Sequence, residues 1–164
     1  MIDIKIDCSG VMQTLERLEQ AVTHRAPVMR AIAGIMADAV EENFAQEGRP
    51  KWQGLKPNPR RAGGKILQAT GRLASSIVSA SDNDNAVVGT NAKYAAIHQF
   101  GGKTRAHEIR PRNKKALAFG GRVVKKVNHP GSNIPARPFL VLADQDVDEI
   151  EATMNDYLRG VVGG

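Results

Sequence analysis

Residues 27–48 constrain this chain more than any other segment, because they form one helix whose apolar face is wide enough to organise a core. Pro27 suits a helix's first turn, where its missing N–H has no intrahelical partner to lose. Val28, Ile32, Ile35 and Ala39, flanked by Met36, Val40 and Phe44, then recur at helical spacing. Gly48 is the expected C-cap. So broad a face has to be covered from several sides, and the rest of the chain must supply the cover.

Upstream, Ile2, Ile4 and Ile6 alternate with Asp3, Lys5 and Asp7, the period of a half-buried strand. Cys8 follows, expected as a buried structural thiol, and Ser9 is the expected N-cap of a first helix. Val11, Leu15, Leu18 and Val22 draw one apolar stripe along it, opposite Gln13, Glu16, Arg17 and Gln20.

Downstream of Gly48 the periodicity stops. Residues 49–65 hold three prolines, three glycines and six basic residues, the composition of an extended interaction loop. Trp52, Leu55, Arg60 and Arg61 are its candidate interface residues. Thr70 predicts the N-cap of a short helix through Leu73 and Ile77, and Ala86–Thr90 predicts a strand after the turn-forming Ser81–Asn85. Another short helix is expected over Lys93–Phe100, stopped by Gly101 and Gly102. Short strands follow at Ala116–Phe119 and Arg122–Val127, joined by a Gly120–Gly121 hairpin turn. Val147, Ile150, Met154 and Leu158 share one face of a final helix, expected from Leu140 to Leu158. The pattern predicts a single α+β domain over residues 1–164: a small, mainly antiparallel sheet packed with two N-terminal helices and a C-terminal helix.

A chain of 164 residues can bury such a core without staples. Aromatics make up 4 % of it, which leaves little for an aromatic-lined pocket or a base-stacking platform. The single cysteine permits no internal disulfide and fits a reducing compartment. The N-terminus lacks the pattern of a signal peptide, and the near-apolar stretch 31–40 is too short to span a bilayer. Synthesis in the cytoplasm without a membrane partner is expected.

Charge is strongly segregated. The net charge of +6 divides into −4 over residues 1–48, +15 over 49–137 and −5 over 138–164. A basic middle between acidic ends suits either an anionic partner or contacts between the ends and middles of neighbouring copies. Arg60, Arg61, Arg110, Arg112, Lys114, Lys115, Lys125 and Lys126 are placed to neutralise phosphates. No helix-turn-helix, zinc finger or basic-aromatic RNA motif accompanies them.

Catalytic signals are weak. His24, His98, His107 and His129 are isolated in sequence from one another and from cysteine, with no metal-ligand spacing. Ser75 and Ser76 lack a nucleophile-elbow motif, and Gly63–Gly64–Lys65 lacks the spacing of a phosphate-binding loop. Neither an enzyme nor a cofactor is expected.

Four runs do carry a pattern in common. Phe44 through Gly48 continues to Pro50, Trp52 and Leu55, and Ile66–Gln68 leads into Thr70–Gly71 and Leu73. Val88–Gly89–Thr90 is followed by Tyr94 through Gly101, and Ile134–Pro135–Ala136–Arg137–Pro138–Phe139–Leu140 closes the series. In this order they resemble the phage virion morphogenesis family, also described as tail-completion proteins and typified by Mu-like phages. The resemblance spans Phe44 to about Leu142, and the last run also resembles tail components of other long-tailed phages. It implies a structural protein of the virion, at the tail or neck, that completes the tail or connects it to the head. Its implied partners are its own copies in a hexameric ring and the neighbouring neck and tail proteins, with packaged DNA close by. On this reading Gly71 and Gly101 are turn or cap positions, and Tyr94 and Phe100 are packing anchors. Arg137 projects from a proline-stiffened backbone towards an acidic neighbour, and it joins Phe139, Arg110 and Arg112 among the interface candidates. The rival from another class is a non-specific DNA-binding module built on the basic middle.

Overall fold

The computed structural model describes residues 7–55, 64–113, 115–119 and 121–163, so the alternating Ile2–Ile6 segment lies outside the described residues. In chain order the elements are α1 (Ser9–Thr23), α2 (Ala26–Ala45), a 3-10 turn (Ala74–Ser76), β1 (Ile77–Ser81), β2 (Ala86–Thr90), α3 (Ala95–Phe100), β3 (Gly102–Lys103), β4 (His107–Ile109), β5 (Leu117–Phe119), β6 (Arg122–Val124), β7 (Val127–His129), β8 (Asn133–Ile134) and α4 (Asp144–Gly163). This is an α+β fold. The described residues gather into two compact units, one from residues 1–92 with 139–164 and the other from residues 93–138. All strand pairing is antiparallel, but among the described residues it forms four separate two-stranded ladders instead of one sheet.

The first unit is built around α2, as its apolar face predicts. Val28, Ile32, Ala33, Ala39, Val40 and Phe44 are buried, and β1, β2 and α4 pack against the helix. At its C-terminal end the Phe44 ring lies 5.4 Å from Phe139, which is fully buried, and 5.9 Å edge-on from Trp52. The helix stops in a Schellman turn: Gly48 N–H reaches Asn43 O at 2.8 Å and Glu47 N–H reaches Phe44 O at 3.4 Å. Glu47, not Gly48, takes the left-handed conformation next to the cap, at φ 57°. Gly48 follows at φ 102°, and a Cβ there would sit 2.5 Å from the indole ring of Trp52. The glycine is therefore what lets Trp52 fold back onto Phe44.

A buried polar network ties this end of α2 to the start of α4. The Arg49 guanidinium grips Asp146 with two bonds of 2.7 and 3.0 Å, and also donates to Asn43 Oδ1 and Ala39 O at 2.9 Å. Asn43 donates from Nδ2 to the carbonyls of Phe139 and Val141, at 3.0 and 2.8 Å. Asp146 in turn accepts the Ala143 N–H at 2.7 Å. Residues 140–143 are thereby held outside the helix, and α4 begins at Asp144, four residues later than the apolar periodicity predicts.

The expected helix through Ile77 is replaced by the 3-10 turn and β1. Here β1 pairs with β2 from Ile77 opposite Thr90 to Ser81 opposite Ala86. The Asp82 carboxylate accepts the N–H groups of Asp84 and Asn85, both at 2.7 Å, closing the hairpin. Those donors, with the Asn85 side chain, hold its carboxyl below the usual carboxylate range. Asn83 at the tip accepts the Arg25 N–H at 2.8 Å and donates to Thr23 O at 2.9 Å, fixing the joint between α1 and α2. The α1 helix opens one residue earlier than expected, with Cys8 at the cap position and Asp7 accepting the Ser9 N–H. Cys8 is exposed, contrary to the buried thiol expected there, because it sits at an uncovered helix start.

The second unit has a different construction. After α3, which ends at Gly101 and Gly102 as expected, β3 pairs with β8, β4 with β7 and β5 with β6. The three ladders are nested, so the described residues of 102–134 form one folded-back, two-stranded arm. Gly101 lies at φ 72°, and a Cβ would meet the backbone N of Ala136 at 2.8 Å. The return strand thus passes directly over this glycine. At the inner turn Gly121 is at φ 75°, while Gly120 lies outside the described residues.

Candidate functional site

The eight candidate interface residues divide sharply by exposure. Trp52 (8 % exposed), Arg137 (7 %) and Phe139 (0 %) are buried. Trp52 was expected on an extended loop, but the described residues 49–55 are anchored by the Arg49 network and by the indole against Phe44. Arg137 does not project outward: its N–H donates to His98 O at 2.7 Å and its side chain is covered. Leu55, Arg110 and Arg112 are exposed, and Arg60 and Arg61 lie outside the described residues.

Tyr94 and Phe100 invert the expectation in the opposite sense. Instead of anchoring a core, Tyr94 is 46 % exposed, meeting His98 edge-on, and Phe100 is 79 % exposed. The α3 helix is too short to offer them a buried face.

The largest departure concerns α1. Its apolar stripe is present, yet Val11, Leu15 and Val22 are 54–62 % exposed, with Met12 beside them. Only Ala21 of this helix is buried. Contact with α4, including the Tyr157 hydroxyl against Ala21 O and His24 O, uses a neighbouring face and leaves the stripe open. On α4, Val147, Met154, Leu158 and Val162 are likewise 40–53 % exposed. Helical spacing places Glu19 between Leu15 and Val22, and Glu151 between Val147 and Leu158. Both glutamates are exposed, so each apolar stripe carries an acidic group within it.

The arm has the opposite charge. Residues 102–134 include nine basic side chains and one acidic one, Glu108. Glu108 pairs with Arg110, and with Lys126 at 2.8 Å; these bonds, led by that from Lys126, hold its carboxyl below the usual range. Val123 is 73 % exposed on this arm.

The register also joins two histidines that are isolated in sequence. His107 faces His129, their rings stacked at 5.1 Å. Only the strand pairing could have shown this. Among the described residues no group of three or more His, Cys, Asp or Glu is placed to hold a metal. No helix among them is long and apolar enough to cross a membrane.

Buried aromatic anchors at the end of α2, a glycine-dependent Trp52 fold-back and a proline-flanked return to Phe139 are the structural forms of the first and last of the four sequence runs. The chain belongs to the phage virion morphogenesis family, whose pattern it matches over residues 6–159. Its role is accordingly in phage virion assembly. It is 44 % identical over 160 residues to Mu-like prophage FluMu G protein 2 of Haemophilus influenzae, covering 97 % of both chains. It is also 29 % identical to FluMu G protein 1 of that organism, over 96 % of this chain and 94 % of the other. Putative capsid assembly protein G of Escherichia phage Mu is 24 % identical, over 91 % of this chain and 88 % of that protein. No solved structure matches significantly.

Proposed function

We propose that this protein is a structural subunit that completes the upper end of the phage tail or joins tail to head, working as a ring of identical copies. The observation that carries this reading is the apolar surface on α1 and α4, which the described chain leaves uncovered. Exposed apolar stripes of this kind suit a protein interface. The buried motif residues build the scaffold, while the exposed stripes and arm supply contacts. Leu55, Arg110 and Arg112 are the sequence-derived candidates that remain available at the surface.

A second reading is favoured by the Mu relative, whose name assigns it to capsid assembly. Electron microscopy of lysates from a phage lacking this gene, with and without a complementing copy, separates the two. Full heads beside unattached tails, rejoined on complementation, are expected. Malformed or absent heads with normal tails would move the protein to capsid assembly, and normal joined virions would reject both readings.

A further inference from the structure

We infer that copies of this chain associate head to tail, the basic β-arm of one copy (residues 102–134) lying across the acidic, apolar α1 and α4 face of the next. The inference rests on the ring reading above and specifies the surfaces that would form it.

Three observations converge. An isolated two-stranded ladder is marginal in water, and this arm consists of three such ladders in succession with largely exposed side chains. It therefore calls for a surface to lie on. Second, α1 presents Val11, Leu15 and Val22 and α4 presents Val147, Met154 and Leu158, all at least 40 % exposed. These stripes have the spacing of helix-packing seams.

Charge then selects the occupant. Residues 93–138 carry eleven basic groups and one acidic group, a net +10, whereas the remainder of the chain carries −4. Pairing arm with arm would oppose two strongly positive surfaces, and pairing α4 with α4 would oppose two acidic helices. Arm against face is the pairing that brings opposite charges together, and a contact between unlike patches of identical copies is heterologous, which builds a ring where its rotation closes. Glu19, Glu151 and Asp148 are exposed acids on or beside the stripes, and Arg122, Lys125 and Lys126 are exposed cations of the returning half of the arm. Phe100 and Val123, exposed at the root and on the inner ladder, favour a protein partner over a nucleic acid. A phosphate backbone is held by cations and gains little from exposed apolar groups.

The test uses the full chain and two charge-reversed variants, one on the face (Asp148→Lys with Glu151→Lys) and one on the arm (Arg122→Glu, Lys125→Glu and Lys126→Glu). All five positions are exposed, and circular dichroism checks that both variants fold. Sedimentation velocity is expected to show self-association of the natural chain, weakened on the order of tenfold or more in each variant. Mixing the two variants should restore assembly, because each arm then meets a face of opposite charge. Association unchanged by either reversal, or not recovered on mixing, would overturn the arm-to-face contact while leaving the ring intact. A natural chain that stays monomeric at all concentrations would remove the ring reading itself. If that monomer binds duplex DNA with steep salt dependence, the arm is a phosphate-binding device instead.

Discussion

The two compact units resist unfolding by different means. In the first, α2 is enclosed by β1, β2 and α4, and its end is locked by three aromatic rings and a buried ion pair. In the second, α3 contributes one buried residue, Ala95, and the strands that follow are two or three residues long. The first unit therefore holds its own geometry through side-chain packing, while the arm is held chiefly by backbone pairing. Mutations of equal size should consequently have unequal effects in the two units.

The sharpest expected contrast comes from the buried pair. Arg49 and Asp146 have side chains only 10 % and 9 % exposed, so Asp146→Ala would strand a guanidinium away from water and release the cap on α4. A loss of about 3–5 kcal/mol is expected, measured by urea unfolding. Lys125→Glu on the arm, made at an exposed position, should stay within about 0.5 kcal/mol. Comparable losses in both variants would break the distinction between a packed unit and a backbone-paired one.

Trp52→Ala comes next. The indole packs on Phe44 and against Gly48, so truncation opens a cavity at the end of α2 and should cost about 3 kcal/mol. Unchanged stability would return Trp52 to the role its sequence context suggests, that of an interaction loop residue.

That context explains how far the sequence could be read. Periodicity identifies α2 and its face because the buried partners at Val28, Ile32, Val40 and Phe44 recur within one helix. The same logic finds the stripe on α1 but cannot tell whether its cover belongs to this chain or to another. Trp52 lies among prolines and glycines, and its burial depends on the turn at Glu47 and Gly48 bringing it back to Phe44. The late start of α4 depends on Asn43, some hundred residues away in sequence, taking carbonyls that a helix would otherwise use. Likewise β1 was masked by a leucine–isoleucine spacing that also fits a helix. Local pattern thus recovered the helices, while the burial of Trp52, Arg137 and Phe139 escaped it, because aromatic rings and arginines in proline-rich runs resemble contact loops whether buried or not.

The smallest effect expected is electrostatic and lies in the second unit. His98 Nδ1 is buried and has no hydrogen-bond partner among the described residues. Burial, followed by the charge of Arg137, holds the imidazole below its ordinary value of 6.5. Above that value the ring is neutral in both folded and unfolded chains and contributes nothing to pH dependence. As pH falls below it, the unfolded chain takes up a proton that the folded chain refuses, so stability declines until the folded pKa is passed. His98→Gln removes the titrating group, and its unfolding free energy should therefore fall less steeply than that of the natural chain over this window. Titration of the His98 ring by NMR provides the direct check. A midpoint at or above 6.5, or identical pH slopes for the two proteins, would show that the arm's root is open to solvent and that the second unit lacks even this small buried centre.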